Sequence, residues 1–399
     1  MRQLKIPAVF MRGGTSRAIV FHQDDLPKDR AAWDEIFLAA LGSPDPYQRQ
    51  LNGMGGGISS LSKICIVAKS DRPDADIDYT FAQVSPREAW VSYAAMCGNM
   101  SSAMGPFAVD EGLVAVEGKE AVVRIHNTNT GKIIHAHFAV DEGAAAIDGN
   151  YELLGVAGTG APVRMDFVAP GGANTGKLLP TGNVVDTLDV PGVGKVEASM
   201  VDAGSSLALI DAARIGLTGT ESPMEIDAPE MLETIEKIRC VAGVAMGISP
   251  TVEDSRTKRP NLPKVAMVAP PRDATALSGK VVPAADGDLT VRIISSGNCH
   301  RALPLTGAIC TSVAARIDGT IAHRFARKAT NAEADIRLMQ PSGITNLKPV
   351  VLREGSGWSA KRVGVYRTQR RLFDGYVYVQ AARVPRLVAE RAGLSQAAE

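Results

Sequence analysis

The chain has 399 residues, 45% of them hydrophobic and 5% aromatic, with 43 basic against 43 acidic residues and a formal net charge of zero at pH 7. That length exceeds the usual size of one core, and the balanced charge recommends neither nucleic acid nor an acidic membrane as a partner. No window approaches ~18 uninterrupted apolar residues, and the opening MRQLKIPAVFMRGG is too short in apolar length for a signal-peptide core, so a cytoplasmic protein with a small-molecule partner is expected.

Along the chain, strand-length apolar or alternating stretches fall at 6–10, 18–21, 64–68, 121–125, 133–140, 196–201, 207–210, 265–268, 289–294 and 376–379. Helical patterns are fewer, at 28–41, 100–109, 229–241, 307–316 and 384–392. Many strands with few helices, not alternating at βαβ spacing, predict an α+β architecture rather than a doubly wound sheet. In IIHAHFAV, His135 and His137 share one strand face opposite Ile134, Ala136 and Phe138. A solvated strand face accounts for them better than a metal site. The five cysteines, Cys65, Cys97, Cys240, Cys299 and Cys310, are scattered and lack any C-x-x-C. They predict neither a disulfide framework nor a structural zinc, and no metal is expected.

The chain also resembles itself. Setting 6–26 against 196–216 matches Ala8 with Ala198, Gly14 with Gly204, Ser16 with Ser206 and Ala18 with Ala208, while Thr15 meets Ser205. CGNMSSAMGPFAVDEG (97–112) likewise resembles TGAICTSVAARIDG (306–319), a glycine, a small-residue helix, then Asp and Gly. Two pseudo-repeated halves follow, each strand, glycine turn, strand and a later central helix, with a ligand site between them as the default expectation. The turn-rich LLPTGNVVDTLDVPGVGK (178–195) places the boundary so that the halves are 1–188 and 189–399, the last strand being a candidate to return to the first half.

Four stretches carry chemistry. Cys97 precedes Gly98-Asn99 at the mouth of a helix, whose unpaired N–H groups attract anions and lower a thiol pKa; a small residue packed into a helix is the plainer alternative. The other half offers a second helix start at Thr306-Gly307, and two such starts suit a substrate with several carboxylates. In LNGMGGGISSLSKICIV (51–67) a glycine run with Gly55 and Gly56 leads through Ser59 and Ser60 to Lys63. The P-loop spacing is absent. A lysine entering an apolar strand is costly unless paired or neutral, so Lys63 reads as a base of depressed pKa, against a snorkelling lysine at a strand edge. MRGGTS (11–16) presents Arg12, Gly14, Thr15 and Ser16 as donors, and arginine can clasp a carboxylate bidentately. His300, before the second helix, is a catalytic group, a substrate contact or a plain loop histidine. No H-E-x-x-H, G-x-G-x-x-G or nucleotide fingerprint appears, which disfavours metalloprotease and dehydrogenase readings.

MRGGTS, GSPDPY (42–47), GMGG followed by S-x-x-S-K (53–63), CGN (97–99), LPTGN (179–183), VAPP (268–271) and PSG (341–343) occur in order along the chain, which thereby resembles the PrpF family. The resemblance implies a diaminopimelate-epimerase-like fold: two similar halves, each a curved mixed sheet around a central helix. It also implies cofactor-independent isomerisation of a small unsaturated polycarboxylate, as in the 2-methylaconitate, 4-oxalomesaconate and methylitaconate isomerases of that family. The family's functional lysine and cysteine fall on Lys63 and Cys97, as base and as acid or anion-stabilising partner, with Ser342 of PSG among the substrate contacts. This chain departs from the family pattern at Ala95-Met96 before CGN, at Arg17 after MRGGTS and at Gln340 before PSG. Those departures bear on which substrate is accepted. Two other functions remain: a racemase or epimerase with a second thiol at Cys299 or Cys310, and a non-catalytic accessory of an aconitase-type dehydratase. Homo-oligomerisation is left open.

Overall fold

Alternating side chains near the N-terminus build a hairpin: β1 (Gln3–Gly13) runs antiparallel to β2 (Ser16–His22), closed by the Gly13-Gly14-Thr15 turn. The computed structural model describes residues 3–397, apart from Ala95, Ser296, Ala332 and Glu333. Two compact units divide it, one of 1–153, 158–164 and 367–399, the other of 154–157 and 165–366.

In the first unit a short helix α1 (Trp33–Leu41) and a glycine-containing loop lead into β3 (Lys63–Lys69), which lies parallel to β2 with Lys63 opposite Ala18. Next, β4 (Ile77–Val84) pairs antiparallel with β3, and the strand Glu120–Asn127 adds parallel to β4 and antiparallel to Lys132–Asp141. The apolar run of β3 fits a strand covered on both faces. Ile64 and Ile66 join Ile19, Phe21 and Ala82 in one core cluster with Trp33, Ile36 and Phe37 of α1. Lys63 and Cys65, two apart, point to the other face, as strand alternation requires.

On the face of Lys63 and Cys65 lies α2 (Gly98–Asp110), buried from Gly98 to Val109. Small residues let it sit close to the sheet: a Cβ on Gly105 would stand 2.9 Å from the Ala136 Cβ. The chain returns at its end, where Gln369–Gln380 pairs antiparallel with β1, from Gln3 opposite Gln380 to Gly13 opposite Gln369.

The second unit repeats this order. Gly194–Asp202 and Ser206–Asp211 form an antiparallel hairpin, Lys264–Ala269 runs parallel to the latter, and the buried helix Leu305–Ala314 follows. Around them, Leu289–Ser295 pairs antiparallel with Lys264–Ala269 and parallel with Ile336–Gln340.

The structure divides the chain between Arg164 and Met165, whereas the turn-rich stretch 178–195 suggests 188/189. That stretch leads instead into a hairpin within the second unit, Asp186–Val190 with Gly194–Asp202. Turn composition marks a tight hairpin and an interdomain linker alike. The strands Ile77–Val84, Gly343–Glu354 and Gly357–Arg367 carry polar residues at intervals that hide their period in sequence.

Candidate active site

Lys63 opens β3 and is 8% exposed. Its Nζ donates to Gln83 Oε1 at 2.6 Å and lies 5.0 Å from the centre of the Phe81 ring. Gln83 sits opposite Lys63 in the ladder, and its amide nitrogen donates to the carbonyls of Ser62 at 2.9 Å and Ser59 at 3.1 Å. No carboxylate stands within ion-pair distance of Lys63 among the described residues.

Cys97 is the residue before α2, held in extended backbone, and is half-buried while the other four cysteines are buried. The first intrahelical bond runs from Ser101 N to Cys97 O at 3.0 Å, so the amides of Gly98, Asn99 and Met100 precede the helix's own bonding and remain as donors at its mouth. The Ser101 hydroxyl also donates to Cys97 O at 3.0 Å, fixing the backbone that carries the thiol.

Lys63 and Cys97 meet electrostatically at Cys65. Burial first, then the neighbouring Cys97, push the Cys65 thiol well up, while its bond to Tyr79 and the charge of Lys63 oppose the shift. Cys65 and Tyr79 are residues the motif reading passed over. The signal was present for the first, since K-I-C puts Cys65 on the face of Lys63.

The MRGGTS turn packs on the start of α2. Gly14 has φ +53°, and a Cβ there would lie 2.4 Å from Asn99 Oδ1. Only glycine fits. The Asn99 side chain donates from Nδ2 to Thr15 Oγ1 at 3.0 Å and accepts at Oδ1 from Arg367 Nε at 3.2 Å. Ser16 is buried beside this turn. Arg12 is occupied differently from the carboxylate clasp its sequence suggests: Nη1 donates to the carbonyls of Gly14 and Thr368, both at 3.0 Å, and the Gly14 amide also donates to Thr368 O. Burial, then the nearby charge of Arg370, lowers the Arg12 pKa.

The glycine loop is likewise built from within. Gly55 N donates to Leu41 O and Gly56 N to Leu61 O, both at 3.2 Å, so neither amide is turned toward a ligand. The loop wraps the buried Gln50, whose amide donates to Ser43 and Ser62 hydroxyls and accepts from Gly57 N. Ser59 and Ser60 follow in a single short turn directly before Lys63.

In the second unit, Thr306 and Gly307 lie in the first turn of their helix, which no side chain caps, and a Cβ on Gly307 would meet Ile293 Cδ1 at 2.8 Å. His300 Nδ1 lies 2.9 Å from Ala302 O, and Ser342 Oγ donates to Arg301 O at 2.6 Å. Gln340, one of the departures, accepts from Ser342 N at 2.9 Å and so shapes the PSG turn. Of the other departures, Met96 is buried, Ala95 lies outside the described residues, and Arg17 packs over the Phe10 ring at 5.5 Å.

The sequence profile described as "PrpF protein" matches residues 3–380. The chain belongs to the PrpF family. Two curated relatives in that family are each 39% identical to it: the 3-methylitaconate isomerase of Eubacterium barkeri, over 96% of this chain and 99% of the relative, and the 2-methyl-aconitate isomerase of Cupriavidus necator, over 94% and 98%. The crystal structure of a methylitaconate-delta-isomerase superposes with TM-score 0.81 at 38% identity, covering 96% of this chain and 98% of that one. The PrpF chain has the α+β, diaminopimelate-epimerase-like fold, shared also with a hydroxyproline epimerase from Agrobacterium vitis at TM-score 0.55 and 12% identity, a likeness of fold alone. No helix among the described residues is long and apolar enough to cross a membrane.

Proposed function

We propose that this PrpF-family chain is an isomerase that shifts or flips the carbon–carbon double bond of a small unsaturated di- or tricarboxylate, with Lys63 as base and Cys97 as its partner at the mouth of α2. The observation that carries the assignment is a buried lysine held by the neutral Gln83 on the sheet face against which α2 packs, with the half-buried Cys97 at the uncapped start of that helix. The substrate class follows the methylitaconate and 2-methylaconitate named for the two relatives.

The chemistry uses each part. An allylic C–H flanked by carboxylate and alkene loses its proton to Lys63 Nζ, and the electron pair spreads over the conjugated system as an enolate-like anion. The amides of Gly98, Asn99 and Met100 with the Cys97 S–H donate to that anion where negative charge develops, which lowers the barrier more than it stabilises the ground state. The proton returns at the far end of the allyl system, or at its origin after bond rotation. Gln83 holds Nζ in place without the competing negative charge that a carboxylate would supply.

A racemase with two opposed thiols is less well supported. Cys299 is buried and pushed up to about 12, and Cys310, buried also, is raised further by burial and then by Asp202. Thiols that hold their protons so tightly are poor bases near neutrality.

The test is solvent deuterium exchange at the allylic carbon across a panel of methylitaconate, 2-methylaconitate, 4-oxalomesaconate and aconitate. Wild-type protein exchanges and isomerises at least one of them, Lys63→Met abolishes both, and Cys97→Ser lowers the rate while leaving the protein folded. A non-catalytic accessory role predicts no exchange by the wild type, and that result sinks the assignment.

A further inference from the structure

Arg367 is 6% exposed, and burial brings its pKa down to about 10, still charged at neutral pH. It is the last residue of the strand Gly357–Arg367, 268 positions from Asn99, yet its Nε meets Asn99 Oδ1 at 3.2 Å. A guanidinium has donors only, so the Asn99 oxygen faces Arg367 and the Asn99 nitrogen faces Thr15. Nδ2 also has only donors, and it meets Thr15 Oγ1 at 3.0 Å. Thr15 must therefore accept on that side. Its hydroxyl proton has no acceptor among the described residues, and the side chain is half-buried at the turn facing the start of α2. Asn99 is 8% exposed and packed against Gly14, so which of its two amide atoms faces Thr15 is set by its other partner, Arg367.

We propose that Arg367 is a positioning residue: acting through Asn99, it fixes the polarity of a three-member hydrogen-bond relay so that the Thr15 hydroxyl is an obligate donor to one carboxylate of the substrate. The inference deepens the function proposed above and rests on it for the substrate class. Without the arginine, nothing holds the Asn99 amide in that orientation: it can turn over to present Oδ1 to Thr15, the Thr15 proton turns inward, and a substrate carboxylate meets an oxygen lone pair instead of a proton. A donor to an anion is thereby replaced by a repulsive contact.

The experiment measures two quantities on the full chain: calorimetric binding of propane-1,2,3-tricarboxylate, which has no double bond to move, and steady-state kcat and KM on the substrate that the exchange panel identifies. Thr15→Val and Arg367→Met are each expected to weaken tricarboxylate binding and raise KM by about tenfold to a hundredfold, the range of one hydrogen bond to a charged group, with kcat changed far less. Thr15→Ser keeps wild-type affinity. In the Arg367→Met background, Thr15→Val should cost less than about twofold more, because the donor has already lost its bias.

Asn99→Asp repeats the test without a change of volume. Its second oxygen draws the Thr15 proton inward, so binding weakens and the Thr15→Val effect disappears, which carries the result should Arg367→Met not fold. Equal Thr15→Val factors in the wild-type and Asn99→Asp proteins overturn the relay, as does undiminished affinity in Asn99→Asp. Tricarboxylate binding with the expected coupling but without allylic exchange removes the isomerase reading and leaves the relay standing. Exchange with no dependence on Thr15 does the reverse.

Discussion

Lys63 Nζ and Gln83 Oε1 lie 2.6 Å apart, across a strand pair, and the Gln83 amide is in turn tied to the Ser59 and Ser62 carbonyls. The candidate base is thus held by a neutral acceptor whose own orientation is set by the loop leading into β3. Replacing that acceptor by an anion favours the ammonium form of its partner. Gln83→Glu is accordingly expected to lower kcat/KM at pH 7 by at least about tenfold, with the acid limb of the pH–rate profile moved to higher pH. A Gln83→Glu profile that superposes on the wild type would show that Lys63 does not act as the base.

Cys97 is the half-buried thiol of the five, and the remaining four are buried, with Cys65, Cys240, Cys299 and Cys310 all raised in pKa first by burial. Only an accessible thiolate alkylates quickly. Iodoacetamide at pH 8 should label Cys97 alone in the native protein, and all five after unfolding in guanidinium. Peptide mass spectrometry reads the result, and faster labelling at any other cysteine contradicts the packing described.

At Gly14, both the positive φ and the 2.4 Å approach of a Cβ to Asn99 Oδ1 act against any side chain. Gly14→Ala is expected to cost about 1–3 kcal/mol of stability. Because relief of the clash must displace Asn99, the variant should lose substrate affinity as well. Urea denaturation with parallel KM measurements checks both; a shift in stability alone would separate the turn from the site.

At the far end of α2, Glu111 accepts from Arg371 at 2.6 Å and lies 3.0 Å from His22 Nε2. Burial pushes the Glu111 carboxyl up, but the bonds from His22 and Arg371 outweigh it, so the folded pKa lies below the ordinary value. A depressed carboxylate contributes stability that is present above the unfolded pKa and is lost as pH falls through the folded one. The Tm gap between wild type and Glu111→Gln should therefore hold steady above about pH 5 and narrow as pH drops below about 4. A gap that persists undiminished at pH 3 would mean that the ionised carboxylate is not what stabilises the helix end.

Much of the frame was legible without coordinates. The match of 6–26 with 196–216 corresponds to two hairpins, each followed by a parallel strand beginning with a lysine, Lys63 opposite Ala18 and Lys264 opposite Leu207. CGN at the foot of a small-residue run marked the start of α2, because glycine and small side chains are what a buried central helix needs for close approach. Period-two alternation also assigned the inward face of 133–140, with Ile134, Ala136 and Phe138 buried.

What the local pattern could not show is which donors are already spent. Gly55 and Gly56 look like an anion cradle in sequence, yet their amides are used within the loop, and the Arg12 guanidinium is partly committed to two backbone carbonyls. Arg367, distant in sequence and in no motif, lies against Asn99. Composition and periodicity follow from the chain's own covalent order, and they determined the strands, the repeat and the candidate Lys63 and Cys97. Hydrogen-bond partners are chosen by where the backbone returns, and only the tertiary structure decided that Gln83 holds Lys63 and that Asn99 is gripped between Arg367 and Thr15.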